Sequence, residues 1–373
     1  MRILVTGGAG FIGSHLCRSL LASGHEVRVI DNLDPQIHGA NPMPSSTLPK
    51  DVEFVHGDVR NLDELTRALS GAEVVYHLAA GTGVGQSMYR IAEYMDCNVG
   101  GTSQLMDIIV NNRRGSVQRI ILASSRAVYG EGKYLCDNCG IVCPATRSVE
   151  QLDENQWEVL CPTCGIEVKP VPTDEDKPLG PGSVYAVSKR CQEELAICVG
   201  RAYGISTTAL RFFNVYGSGQ ALANPYTGII TIFSSKIHSG ESPLIYEDGM
   251  ESRDFVHVSD VVRALVLAMP AGKADFLAIN VGSGVPLTVL DMAKSMIKAM
   301  GSNVEPQVIG KYRVGDIRHC HADLTRAMTM LDYRPEVGFE AGIREFLQWS
   351  DDRPSEDHLG LATEELVRRG LFR

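Results

Sequence analysis

The chain begins with a short apolar run, residues 2–6, followed at once by Gly7-Gly8-Ala9-Gly10-Phe11-Ile12-Gly13. The run reads as a buried strand and the stretch from Phe11 to about Ser23 as a helix, which makes the glycines a tight turn between them. Such a turn lets the backbone approach a pyrophosphate at the N-terminus of a helix. A glycine pattern alone says little, but here a second strand, Glu26 to Ile30, follows the helix and ends at Asp31, 18 residues beyond Gly13. A carboxylate at that place accepts hydrogen bonds from ribose hydroxyls and repels a 2′-phosphate, which predicts NAD and not NADP.

The same alternation continues. Strands are expected at Val52–His56, Glu73–Leu78 and Gln118–Ala123, with helices at Leu62–Leu69 and, as one long element, Ile91–Val110. Strands alternating with helices argue for a parallel sheet covered on both faces. Ligands then bind at the carboxyl ends of the strands, where Asp31, Asp58, Ala79 and Ser125 fall. At 373 residues there is room for this sheet and a second, smaller unit. A net charge of −10 argues against a nucleic-acid partner. No apolar run reaches the roughly 20 residues of a membrane span, and MRILVTGG lacks the pattern of a signal peptide, so a cytoplasmic protein is expected.

Ser183 to Lys189, SVYAVSK, places Tyr185 and Lys189 four apart, on one face of a helix. An ammonium beside a phenol stabilises the phenolate, so the tyrosine pKa is expected to fall and yield a base usable near neutral pH. Taken alone, such a pair is an ordinary pair of helix neighbours; the rest of the chain changes its meaning.

Gly7-x-x-Gly10-x-x-Gly13, His77-Leu78-Ala79-Ala80, Ser125 before Val128-Tyr129-Gly130, and Tyr185-x-x-x-Lys189 occur in that order. Further on come Arg211-Phe212-Phe213-Asn214-Val215-Tyr216-Gly217, Arg253-Asp254-Phe255-Val256-His257-Val258, Asn280-Val281-Gly282 and Arg313-Val314-Gly315-Asp316. Together they closely resemble the extended short-chain dehydrogenase/reductase family of nucleotide-sugar epimerases and dehydratases, over nearly the whole chain except residues 131 to about 172. The resemblance implies an α/β fold: a Rossmann doubly wound parallel sheet, a smaller α/β substrate domain and a small insert. It divides the chain into a dinucleotide-binding domain (residues 1–130 and 173–213), the insert (131–172) and a mostly substrate-binding part (214–373), of which 255–282 partly returns to the first domain.

It also implies residue roles. Tyr185 is the acid/base on a sugar hydroxyl, Lys189 holds the nicotinamide ribose, and Ser125 binds the same sugar oxygen. Gly7, Gly10, Phe11, Ile12, Gly13, Asp31, Asn32, Leu78, Ala79 and Ala80 border the NAD; Asp58 and Val59 contact its adenine, and Asn98 sits near the nicotinamide end. Asn214, Arg253, Arg313 and Asp316 hold the substrate diphosphate, a task that suits the planar fork of arginine. Gln86 and Ser87 resemble a loop that touches the sugar. The helices at Ile91–Val110 and from Ser183 to Tyr203 pair across a homodimer in this family.

Dehydratases of the family carry Thr-Asp-Glu where this chain has Ser125-Arg126-Ala127. Without paired carboxylates there is no acid/base set for elimination. Reductases commonly use NADPH, which Asp31 disfavours. That leaves redox-neutral 4-epimerisation through a transient 4-keto sugar, with an NAD(P)H-consuming 4-ketoreductase as the alternative. The stretch from Asp31 to His38 and the cysteine-rich insert resemble the dTDP-L-rhamnose 4-epimerase group, with UDP-hexoses as the second substrate class.

From Ser125 to Tyr185 is 60 positions, more than the family spends there. The surplus contains Cys136-x-x-Cys139-Gly140 and Cys161-x-x-Cys164-Gly165. Two such turns supply four thiolates for a tetrahedral structural zinc, closed to substrate. Cys143 is a spare, either an ordinary thiol or an alternative ligand. Residues 131–172 hold seven acidic and three basic side chains, which argues against a nucleic-acid-binding ribbon. Both ends of the insert lie between Ser125 and Tyr185, so it is expected as a lid beside the sugar pocket, with a subunit contact as the alternative. Leu361–Arg373 reads as a last helix with no assigned chemistry.

Overall fold

The computed structural model describes residues 1–39, 42–111, 116–222, 224, 226, 228–270, 272–351 and 359–373. Its centre is a seven-stranded, wholly parallel sheet. Across the sheet the strands run Ala278–Val281, Ser206–Phe212, Arg119–Ser125, Val74–His77, Arg2–Thr6, Glu26–Asp31 and Glu53–His56. The strands are apolar on both sides because both faces are covered. Ile3 and Val5 join one core with Leu16 and Leu20 of helix Phe11–Ala22 and Val261 and Leu265 of helix Val258–Leu267. Leu4, between them, joins the opposite core with Leu65, Leu105, Ile109 and Ala196. This is the period-two alternation of a strand read out as two layers of helices.

Chain order reverses beside Arg2–Thr6, whose neighbours are the second strand, Glu26–Asp31, and the fourth, Val74–His77. A crevice therefore opens at the carboxyl ends, and the glycine turn closes its floor. Gly7 has φ +68°, and a Cβ there would lie 2.8 Å from the Ala79 backbone. A Cβ on Gly13 would lie 2.5 Å from the Gly7 carbonyl oxygen.

The stretch expected as one long helix is interrupted. Ile91–Tyr94 and Gly101–Asn111 are α-helical, and Met95–Gly100 between them is a π-helical turn. The turn brings the fully buried Asn98 against Gly81. Its Oδ1 accepts from the Gly81 N–H at 2.8 Å, and its Nδ2 donates to the Gly81 carbonyl at 3.1 Å and to Ser188 Oγ at 2.8 Å. A local widening of the helix that satisfies a buried amide is a recurrent feature of binding sites.

A smaller sheet joins Asn214–Tyr216, Ser252–His257 and Pro286–Thr288, with His319–Cys320 also pairing to the Ser252–His257 strand. Phe233, Ile237, Met292, Met296, Ile343 and Phe346 form its core. The insert has its own three-stranded antiparallel sheet, in the order Gly140–Val142, Lys133–Cys136 and Lys169–Val171, over a small cluster of Tyr134, Cys136, Val159, Cys161 and Val168. No described helix is long and apolar enough to cross a membrane.

Because Gly13 has no room for a methyl group, Gly13→Ala must displace the turn. Chemical denaturation should show a loss of about 1–3 kcal/mol; unchanged stability would mean that the turn has slack.

Candidate active site

A cleft of about 750 Å³ runs from the glycine turn to the smaller sheet. Gly7, Gly10, Phe11, Ile12, Gly13, Asp31, Asn32, Asp58, Val59, Leu78, Ala79 and Ala80 line one end. Ser125, Tyr185 and Lys189 lie in its middle, and Gln86, Asn214, Arg253, Arg313 and Asp316 also border it. The dinucleotide end fits its expected guest. The glycine floor has no Cβ atoms, and helix Phe11–Ala22 starts at Gly10 without a side-chain cap. The buried Asp31 carboxylate bridges the turn, accepting from Ala9 N–H at 3.0 Å and Leu33 N–H at 2.9 Å. Asp58 accepts from Asn32 Nδ2 and from Arg60; mainly the Arg60 hydrogen bond holds its carboxyl down at about 2.

Helix Val184–Tyr203 carries the central pair, and its start is fixed by two serines. Ser183 caps it by accepting from Ala186 N–H, and Ser87 Oγ accepts from Tyr185 N–H at 3.0 Å. Lys189 Nζ donates to the Ala123 carbonyl at 3.0 Å and lies 6.0 Å from the centre of the Tyr185 ring. Burial pushes the ammonium down to about 8. The expectation that this ammonium lowers the tyrosine is not met by the protein alone. Burial raises the Tyr185 phenol above its ordinary value, opposed by a hydrogen bond with Ser125 and by the charge of Arg126. Removing a phenolate from water costs more here than an ammonium at this separation returns.

Other expected residues need correction. Ser87 is fully buried and does not border the cleft; its hydroxyl donates to Val84 O and supports the Tyr185 backbone. Asn98 is likewise a support behind the wall. Gln86 borders the cleft, but its amide is engaged by Gln36 and Tyr94. Arg253 is a clamp as much as a ligand: Nη1 and Nη2 donate to the carbonyls of Ser252, Ile317 and Arg318 and to Asp316 Oδ1 at 3.1 Å. Asp316 therefore orients Arg253. Burial works to raise its carboxyl, and the charges of Arg253, Arg313 and Arg126 outweigh that and hold it low. Arg313 is the more available fork. Its guanidinium lies 4.8 Å from the centre of the Tyr246 ring, Nη2 donates to Tyr246 Oη at 3.4 Å, and Nε has no partner. Asn214 Oδ1 is also buried without a partner.

Four further residues border the cleft. Arg126 borders the cleft beside Tyr185; the sequence reading used it only to exclude elimination. A cation directly after the active-site serine was the available signal. Glu251 also borders the cleft, two residues before Arg253. Leu366 and Leu371, from the segment given no chemistry, close one side, where Val314 N–H donates to Leu371 O at 3.1 Å. The insert is not a lid: no residue of 131–172 borders the cleft among the described residues. Its four cysteine sulfurs all lie within 4.8 Å of one another.

The model of the NAD dependent epimerase/dehydratase family matches residues 3–148 and 162–282. The chain belongs to this family. Among its relatives within and around the family, a dTDP-L-rhamnose 4-epimerase of Burkholderia thailandensis is 39% identical, over 93% of this chain and 94% of its own length. The structure of a UDP-glucose 4-epimerase of Thermotoga maritima with UDP-glucose superposes with a TM-score of 0.77 at 30% identity, covering 94% of this chain and 99% of that one. A UDP-glucuronic acid 4-epimerase of Bacillus cereus, in complex with UDP-glucuronic acid and NAD, gives 0.74 at 27% identity, with the same coverage.

Burial pushes the Glu251 carboxyl up to about 7 against the pull of Arg253. The unfolded chain titrates it near 4.3, so between about 4.3 and 7 the folded family member holds the extra proton. This group favours folding most below that window, and the advantage is lost as pH rises through about 7. Glu251→Gln should therefore gain stability relative to the parent between about pH 5 and pH 8, by on the order of 2 kcal/mol in urea unfolding. A pH-independent difference would contradict the assignment.

Proposed function

We propose that this protein inverts C4 of a nucleotide-diphosphate hexose, with NAD returned to its starting state in each turnover. dTDP-L-rhamnose is the first candidate substrate and a UDP-hexose the second. The observation that carries the reading is the meeting of Ser125, Tyr185 and Lys189 at mid-cleft, between a glycine-floored end and an arginine-bearing end. The likeness to a relative named for dTDP-L-rhamnose supports the substrate choice.

Tyr185 takes the proton of the C4 hydroxyl, and Ser125 holds the same oxygen. Lys189, held by the Ala123 carbonyl, orients the cofactor ribose. Gly7, Gly10, Gly13, Asp31 and Lys189 would hold NAD, which would supply a reversible hydride acceptor for C4. Arg126 and Ala127 stand where elimination would need two carboxylates. Arg313 and Asn214 hold the diphosphate, and Arg253 and Asp316 shape that end.

In this reading residues 1–130 and 173–213 hold the cofactor and residues 214–373 hold most of the substrate. The insert binds one structural zinc through Cys136, Cys139, Cys161 and Cys164. Backbone N–H groups of Cys164 and Thr163 pull the Cys161 thiol down to about 6, whereas burial raises the Cys136 thiol and the hydrogen bond with Cys164 raises that of Cys139. Homodimerisation through helix Val184–Tyr203 and the stretch beginning at Ile91 is supported by the exposure of Val187 and Ile91.

Incubation with dTDP-L-rhamnose and UDP-glucose, followed by NMR, should show inversion at C4 without growth of the reduced-nicotinamide absorbance. Net consumption of NAD(P)H would instead identify a ketoreductase. Tyr185→Phe should lower kcat by at least about a thousandfold while NAD affinity stays unchanged; an active variant would remove Tyr185 as the acid/base. Elemental analysis should find one zinc per chain, lost in the Cys139→Ser/Cys164→Ser variant. A metal-free parent would reject the site.

A further inference from the structure

The insert stands outside the cleft, yet it is tied to the wall that carries Arg313. Arg147, almost wholly buried, makes a two-point pair with Glu247: Nη1 donates to Oε2 at 2.7 Å and Nη2 to Oε1 at 2.8 Å. Arg147 Nη1 also donates to the Trp157 carbonyl at 2.8 Å, close to the Cys161 turn. Glu247 has φ +49°, in the left-handed region that a side chain of this kind rarely occupies. Such a conformation persists only where its surroundings over-determine it. Here Arg147 and Arg318 grip the carboxylate, and Glu247 N–H donates to the Lys311 carbonyl at 2.8 Å. The neighbouring residue is Tyr246, the ring on which Arg313 lies.

A second tie reaches the same loop. Tyr312 Oη donates to Asp153 of the insert, and the Trp157 and Tyr312 rings stand 6.3 Å apart. The ends of the insert are anchored as well. Glu131 accepts from the backbone N–H groups of Arg318 and His319 at 2.8 and 2.9 Å, and Thr173 N–H donates to His321 O at 2.8 Å.

We propose that the insert is a positioning element for nucleotide-sugar binding. Through Arg147 and Asp153 it fixes Tyr246, Glu247 and the 312–316 loop, and so sets where the Arg313 fork presents itself. The hydrogen bonds of Arg147 and Asp153 reach Glu247, Tyr312 and the Asp316 carbonyl, at the diphosphate end, and among the described residues none of the insert's hydrogen bonds reaches the glycine-floored end. This rests on the reading that Arg313 takes the substrate diphosphate.

The test uses the full-length protein with dTDP-L-rhamnose and UDP-glucose as substrates. Arg147→Gln should raise KM roughly tenfold, with kcat within about twofold and the Kd for NAD unchanged. Asp153→Ala, at an exposed position, removes the acceptor and should raise the same KM by a smaller factor, and it decides alone if Arg147→Gln does not fold. Unchanged KM in the folded variants would overturn the proposal, as would parallel losses in KM, kcat and NAD affinity. Arg313→Ala, measured alongside, separates the two levels. If it raises KM while the insert variants do not, only the positioning role falls. If it leaves KM unchanged, the diphosphate reading falls and takes the positioning role with it.

Discussion

The structure depends on a close approach of two backbones, at Gly7 and Ala79, where the strand order reverses. Any side chain on Gly7 would push the first and fourth strand ends apart. The approach leaves a crevice whose floor is bare main chain, and everything with chemistry stands around it. The helix bearing Tyr185 is registered to the fifth strand through Lys189 on Ala123 and to the segment after the fourth through Ser87 on Tyr185 N–H. Asn98 ties Gly81 to Ser188, joining the fourth-strand loop to the helix. The cleft is therefore preorganised by buried polar bonds between elements far apart in sequence, a costly arrangement to disturb.

Much of this was legible in the sequence. The apolar strands, the glycine turn and Asp31 have local signatures, since each depends on a period, a backbone conformation or a fixed spacing. The order of motifs along the chain pointed to the epimerase/dehydratase family, to which it belongs. What was misread depends on the third dimension. Ser87 and Asn98 sit beside site residues in sequence, but their side chains turn into the wall and support the backbone there. Arg253 and Arg313 look equivalent as letters, whereas one is consumed by carbonyls and Asp316 and the other lies open on Tyr246. The phenol-lowering effect of Lys189 was inferred from helical spacing alone. Spacing gave the neighbour but not the burial, and burial won.

The insert shows the same division. Two Cys-x-x-Cys-Gly turns were readable at once, and their sulfurs do converge. Its place was not readable. A segment inserted between Ser125 and Tyr185 invites the idea of a lid, because its ends straddle the site. In three dimensions those ends clamp residues 318–321, and the body rests against the back of the loop bearing Arg313. The charges that dock it, Arg147 and Glu158 on one side and Glu247 and Arg318 on the other, are 100 and 160 residues apart in their pairs. No local pattern announces such partners.

The central claim is that hydrogen leaves C4 and returns to it without meeting solvent, while Tyr185 handles only the hydroxyl proton. Turnover of dTDP-L-rhamnose in deuterium oxide, followed by NMR of the product, tests this directly. The expected product is inverted at C4 and retains protium there. Deuterium at C4, or at C3 or C5 beside it as a condition of inversion, would contradict the account.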